Sequence, residues 1–82
     1  MTENELIKII GYNIKKYRLI YSKTKENMTV EKLSKLTNIS PNLIYNLENQ
    51  NTNKNISINN LYKIATVLEI PINNFLEKIN DN

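Results

Sequence analysis

Residues 28–48 read MTVEKLSKLTNISPNLIYNLE, two short amphipathic segments separated by Thr37-Asn38-Ile39-Ser40-Pro41. Leu33, Leu36, Ile39, Ile44 and Leu47 are the apolar positions. Asn38 is one of the few residue types besides glycine that tolerates a left-handed backbone, so it is placed to end a first helix. Ser40 is placed to accept a hydrogen bond from the free N–H groups that open a second one. Pro41 then stands at the first helical position, where its missing N–H costs nothing. Two helices joined by so short a turn form a helix-turn-helix unit, expected over about residues 29–49.

The flanks carry the same helical period. Leu6, Ile10, Ile14, Tyr17 and Tyr21 recur every three to four residues, with Ile7 and Ile20 widening the stripe. That spacing predicts a first helix from about Glu5 to Ser22. Ser22 to Asn27 is polar and aperiodic and reads as a loop. Thr29 caps the second helix, which ends near Thr37, and the third covers Pro41 to about Asn49. Gln50 to Asn55 is a polar linker. Ser57 caps a fourth helix with Ile58, Leu61, Ile64, Ala65 and Leu68 as its apolar positions. Pro71 disfavours helix at Ile70. A fifth helix follows, with Ile72, Phe75, Leu76 and Ile79 on one face. Nowhere does an alternation of period two last long enough for a strand. The expected fold class is all-α, five helices in a single domain spanning 1–82, with the first few residues and Asn80 to Asn82 frayed.

Composition narrows the chemistry. The chain has no Cys and no His. Disulfides, thiolates and the common zinc ligands are therefore absent, as are the usual general base and its nucleophile pairs. Ser34 and Lys35 are neighbours on a helix and do not face each other, so they make no dyad. The single glycine, Gly11, excludes a glycine-rich phosphate cradle. No metal, cofactor or enzymatic activity is expected. No apolar run approaches the length of a membrane span, and MTENELIK is not a signal peptide, so a cytoplasmic location is expected. A formal charge of +3 permits a nucleic-acid partner. Asn (16), Ile (13) and Lys (10) are abundant. All three have AT-rich codons, so coding bias competes with function as the reason for any one asparagine.

Ile10-Gly11, Ile14 and Arg18, then Met28-Thr29, Leu33, Ile39-Ser40, Ile44 and Leu47-Glu48, then Leu61, Ile64-Ala65 and Leu68 form an ordered set. It resembles the phage-repressor or xenobiotic-response-element (Cro-like) helix-turn-helix family over residues 10–76. The resemblance implies a compact five-helix repressor-like domain of bacterial or phage origin that regulates transcription by binding double-stranded DNA. It would lay its third helix in the major groove and sit at the nucleoid when bound. It would act as a homodimer on a palindromic operator, with the two recognition helices about 34 Å apart. Asn55 to Leu61 is similar to the corresponding stretch of restriction-modification controller proteins, free-standing regulators that bind paired sites as homodimers.

The same resemblance implies roles for individual residues. Arg18 and Glu48 match a buried or half-buried ion pair that ties the first helix to the end of the recognition helix; a phosphate is a second partner open to Arg18. The DNA-reading face would hold Pro41, Asn42, Tyr45 and Asn46, with Leu43 at its border. Asparagine can bond bidentately to adenine N6 and N7, and plain solvent exposure is the competing reading in so Asn-rich a chain. Tyr45 can bond a phosphate or a base edge, or pack a thymine methyl. Phosphate contacts are expected at the helix openings, Thr29 and Ser40, and from Lys54 and Lys32. Lys35, Lys23 and Lys25 are further candidates. Ile72 and Ile79 are the expected dimer seam, with Phe75 and Leu76 closing the core.

Departures from the family pattern point to a second function. Val30 stands where relatives often carry a phosphate-bonding Gln, Gln50 stands where they carry a glycine, and the third helix has no Arg or Lys. Domains of this fold also serve as antitoxins or adaptors. A protein-binding module with weak or no DNA affinity is therefore the alternative.

Overall fold

A computed structural model of the chain describes residues 2–78. Over these residues it forms four α-helices and one short 3-10 helix: α1 (Glu3–Thr24), α2 (Val30–Thr37), α3 (Pro41–Glu48), α4 (Ile58–Leu68) and the 3-10 helix Ile72–Leu76. The first turn of α1 is not frayed from Thr2 onward. The Thr2 hydroxyl accepts from the Glu5 N–H at 3.2 Å, and the Glu5 carboxylate accepts from the Thr2 N–H at 3.4 Å. This reciprocal capping satisfies two donors that the helix opening would leave free. At its other end α1 continues to Thr24, so Lys23 belongs to its last turn and not to a loop.

Thr29 and Ser57 cap α2 and α4, accepting from the N–H groups of Lys32 (3.0 Å) and Asn60 (3.1 Å). Ser40 does not act this way: it precedes α3 but its side chain makes no cap hydrogen bond. Its backbone, at φ −54° and ψ 131°, lies outside the extended conformation of Thr29 (−75°, 163°) and Ser57 (−67°, 154°). Asn38 ends α2 in the left-handed region, at φ 58°, and Pro41 opens α3 at the first turn.

α1 lies against α3, α4 and the 3-10 helix, while α2 packs on α3 and α4. Ile7, Ile10 and Ile14 meet Leu33, Ile44, Leu47, Leu61, Ile64, Leu68 and Phe75 in one buried cluster. Each such side chain removed from water contributes about 1.5–3 kcal/mol. The Tyr17 and Phe75 rings meet at 5.2 Å, tilted by 58°.

Several apolar residues expected inside lie outside. Leu36 is 56% exposed because Leu33 and Thr37, one turn apart, form the core side of α2. There the Thr37 hydroxyl donates to the Leu33 carbonyl at 2.7 Å. Ile58 opens α4 at the surface, and Ile20 and Leu76 are likewise exposed. Ile9, off the expected stripe, is buried.

The expected fifth α-helix is a 3-10 turn over the described residues, and Ile79 lies outside them. Asn13 supplies the reason. Its side-chain amide is buried in α1 and donates to the carbonyls of Phe75 (2.9 Å) and Glu77 (3.0 Å). A continuing α-helix would have committed those carbonyls to its own N–H groups. Ile72 packs partly against the core and Phe75 is fully enclosed, so Phe75 closes the core while Leu76 does not.

The backbones of α1 and α3 approach closely at Gly11. A Cβ there would stand 2.0 Å from the Leu47 carbonyl oxygen and 2.8 Å from its carbon. Both are backbone atoms of α3, which cannot swing aside as a side chain can. Helix propensity alone favours alanine over glycine by about 1 kcal/mol, but the clash works the other way. Gly11→Ala is expected to lower stability by about 1–3 kcal/mol, as overpacking does. Urea unfolding checks this, with Lys15→Ala on the exposed side of α1 as a control that should not destabilise.

Candidate functional site

α3 is anchored along one side and open along the other. Ile44 and Leu47 are buried in the core, and Glu48 is 7% exposed. Pro41, Asn42 and Tyr45 are exposed, and Asn46 and Leu43 are half-buried. Helical periodicity separates the two sets: residues 44, 47 and 48 share one face, and 42, 45 and 46 another.

The anchor is completed by a charge pair. Arg18 donates through Nε to Glu48 Oε2 and through Nη2 to Oε1, both at 2.8 Å. Its Nη1 donates to the Met28 carbonyl at 3.0 Å. One planar guanidinium therefore holds the end of α3 and the chain entering α2, the parallel two-bond geometry that arginine provides and lysine cannot. The hydrogen-bonded carboxylate of Glu48 raises the Arg18 pKa above its already high ordinary value, against the opposing effect of burial. Beside it the Ser22 hydroxyl accepts from the Met28 N–H at 2.8 Å.

α3 ends without a glycine. Gln50 adopts the left-handed region at φ 62°. Its N–H donates to the Leu47 carbonyl (3.3 Å), and that of Asn51 to the Asn46 carbonyl (2.9 Å), the paired closure that usually carries glycine. The Gln50 side-chain amide also donates to the carbonyls of Lys8 and Leu47, each at 3.3 Å. These bonds to α1 and α3 offset the cost of a side chain in that conformation, about 1–2 kcal/mol.

The remaining sequence-predicted residues are distributed around this face. Thr29 and Ser40 are exposed at the openings of α2 and α3. The Lys32 ammonium is paired with Glu26 at 2.7 Å. Lys54 is exposed in the segment between α3 and α4. Lys25 is paired with Glu69 at 2.7 Å. Val30 is 3% exposed, so the residue at that place faces the core. Among the described residues no group of acidic side chains could hold a metal ion.

Three features were not read from the sequence. Gly11 and Asn13 looked like ordinary positions of an amphipathic helix, although an interior glycine in a helix signals close approach. The third is a bond across the exposed face: the Tyr45 hydroxyl donates to the Glu31 carboxylate, joining α3 to the first turn of α2. Fourteen residues separate the two, and no local pattern marks such a pair. The bond lowers the Glu31 pKa from its ordinary 4.5 and raises that of Tyr45 from its ordinary 10.0.

The family model described as Cro/C1-type HTH DNA-binding domain matches residues 24–81, more than half of the chain. No curated protein and no solved structure gives a significant match.

Glu48→Ala leaves the half-buried Arg18 guanidinium without its carboxylate, holding only the Met28 carbonyl. A loss of about 3–5 kcal/mol is expected, and an unchanged thermal midpoint would refute a structural role for the pair. The Tyr45–Glu31 bond should be fully present between pH 4.5 and 10.0. It is lost as pH falls through the lowered Glu31 pKa or rises through the raised Tyr45 pKa. NMR titration of the Tyr45 ring should show Glu31→Gln bringing the phenol back toward its ordinary value.

Proposed function

The chain belongs to the Cro/C1-type HTH DNA-binding family, and from that premise we propose that it is a sequence-specific DNA-binding transcriptional regulator. In this reading α2 and α3 are the helix-turn-helix, and α3 is the recognition helix. The observation that carries it is the two-sided character of α3. One side is locked to the core by Ile44, Leu47 and the Arg18–Glu48 pair, while Pro41, Asn42 and Tyr45 stand open opposite.

Asn42 and Asn46 lie one turn apart and can each bond adenine N6 and N7 in the major groove. Tyr45 adds a hydroxyl whose proton points to Glu31; on DNA it contacts a backbone oxygen or a base edge beside them. Thr29, Ser40 and Lys54 bind phosphates on either side of the groove, and Lys32 joins them by exchanging Glu26 for a phosphate. Two copies bind a palindromic site with their α3 helices about 34 Å apart. Their seam lies on the last segment, where Ile72 keeps part of its side chain open and Ile79 follows. The protein works in the cytoplasm, at the nucleoid when bound. No helix among the described residues is long and apolar enough to cross a membrane.

A second reading, a protein-binding module of the same fold, has specific support. α3 carries no cation, Val30 is turned into the core, and the acidic Glu31 borders the open face. Each of these weakens attraction to phosphate.

Selection of bound duplexes from random DNA at two salt concentrations separates the readings. For a DNA regulator with Lys54 and Lys32 of both copies on phosphates, about four such contacts, affinity should fall roughly 150-fold on a fourfold rise in salt. The selected sites should be palindromic. Asn46→Ala should reduce discrimination between selected and random duplex by about 1–3 kcal/mol. Recovery of no preferred sequence at either salt would favour the protein-binding reading.

A further inference from the structure

Lys8, Tyr12, Lys15, Leu19 and Lys23 recur along α1 at helical spacing, so they line one face, and all five are exposed. Tyr12 and Leu19 are each 42% exposed. A groove of about 490 Å³ runs beside them, lined by Lys8, Ile9, Tyr12, Lys15, Glu48 and Gln50. A second of about 300 Å³ continues past Lys16 to Leu19. Ile9 lines the first groove without belonging to the main core cluster.

The charges that α1 itself places on this face are of one sign, and Glu48, the carboxylate lining the groove, is already paired with Arg18. From Leu6 to Lys25 the chain has Lys8, Lys15, Lys16, Arg18, Lys23 and Lys25 and no Asp or Glu. Arg18 is used by Glu48 and Lys25 by Glu69. The Lys16 ammonium lies 5.1 Å from the centre of the Tyr17 ring. Lys8, Lys15 and Lys23 have no ion-pair partner among the described residues. An apolar strip is thus rimmed by lysines.

We propose that this face of α1 docks an acidic amphipathic helix of another protein, its apolar side chains on Ile9, Tyr12 and Leu19 and its carboxylates on the lysines. Charge complementarity selects this occupant. A second copy meeting the face across a two-fold axis would set the lysine row against itself. The only acids of α1, Glu3 and Glu5, lie in its first turn. A DNA backbone would satisfy the lysines but offers the apolar strip little. The first groove reaches Glu48 at the C-terminal end of α3 and Gln50 just beyond it, so a partner here leaves Pro41 and Asn42 open. The proposal does not depend on DNA binding.

The test titrates the nitrogen-15-labelled chain with a synthetic peptide carrying Leu at i, i+3, i+4 and i+7 and Glu between. A scrambled peptide of equal composition is the control. Amide shifts are expected along α1 from Lys8 to Lys23 and at Gln50, with the scrambled peptide binding at least about tenfold more weakly. The double variant Tyr12→Ser, Leu19→Ser should weaken binding by at least about tenfold at an unchanged thermal midpoint. Equal affinity for both peptides, or a double variant that binds normally, overturns the proposal. It is also overturned if the same residues shift with protein concentration alone, which assigns the face to a second copy. Tighter binding of a random-sequence duplex at these residues assigns it to DNA and overturns it too.

Discussion

The backbone of α1 touches the backbone of α3 at Gly11, and the open face of α3 owes its position to that contact. Any side chain at Gly11 would push Leu47 away, and with it the end of the helix. Two turns further along α1, Arg18 closes the same junction with two bonds to Glu48 and a third to the Met28 carbonyl. Ser22 takes the Met28 N–H, and Asn13 holds the carbonyls of the 3-10 turn from another side of the same helix. A single long helix thus sets where α2 begins, where α3 ends and where the chain turns after α4. These contacts are polar and directional, so they fix orientation, while the surrounding isoleucines and leucines supply most of the burial energy.

The electrostatics of the open face differ from its geometry. α3 presents an amide, a phenol and a half-buried second amide, with no cation. Glu31 stands at its edge, bonded to Tyr45, and Lys32 is occupied by Glu26. The Tyr45–Glu31 hydrogen bond and the Lys32–Glu26 ion pair both lie at the surface, where solvent screens them, so exchanging either for a phosphate costs little. The cations are concentrated instead on α1, away from Pro41 and Asn42.

Much of this was legible from local pattern. The period of Leu6, Ile10 and Ile14 marked α1, and Thr29, Asn38, Pro41 and Ser57 marked helix ends through short-range chemistry that needs no tertiary context. The same logic failed at Ser40, whose backbone departs from the extended conformation of the two capping residues and whose side chain makes no cap bond. It failed at Leu36 and Ile58 because period alone does not say how wide the buried face of a short helix is. It failed after Pro71 because the hydrogen-bond partner that diverts the last segment, Asn13, lies more than sixty residues earlier. Ile72, expected at a dimer seam, packs partly on the core and keeps part of its side chain open.

Sequence by itself determined the helical class, the order of the elements, the turn between α2 and α3, and which residues of α3 face away from its apolar stripe. These follow from backbone propensity and helical period, which act over a few residues. Tertiary structure decided that Gly11 is a point of backbone contact, that Gln50 takes a conformation usual for glycine, that Tyr45 is bonded to Glu31, and that Val30 is enclosed. Each depends on groups far apart in sequence meeting in space. The Arg18–Glu48 pair belongs to both: family resemblance suggested the partners, and the packing of α1 on α3 brought the guanidinium and carboxylate within two short bonds.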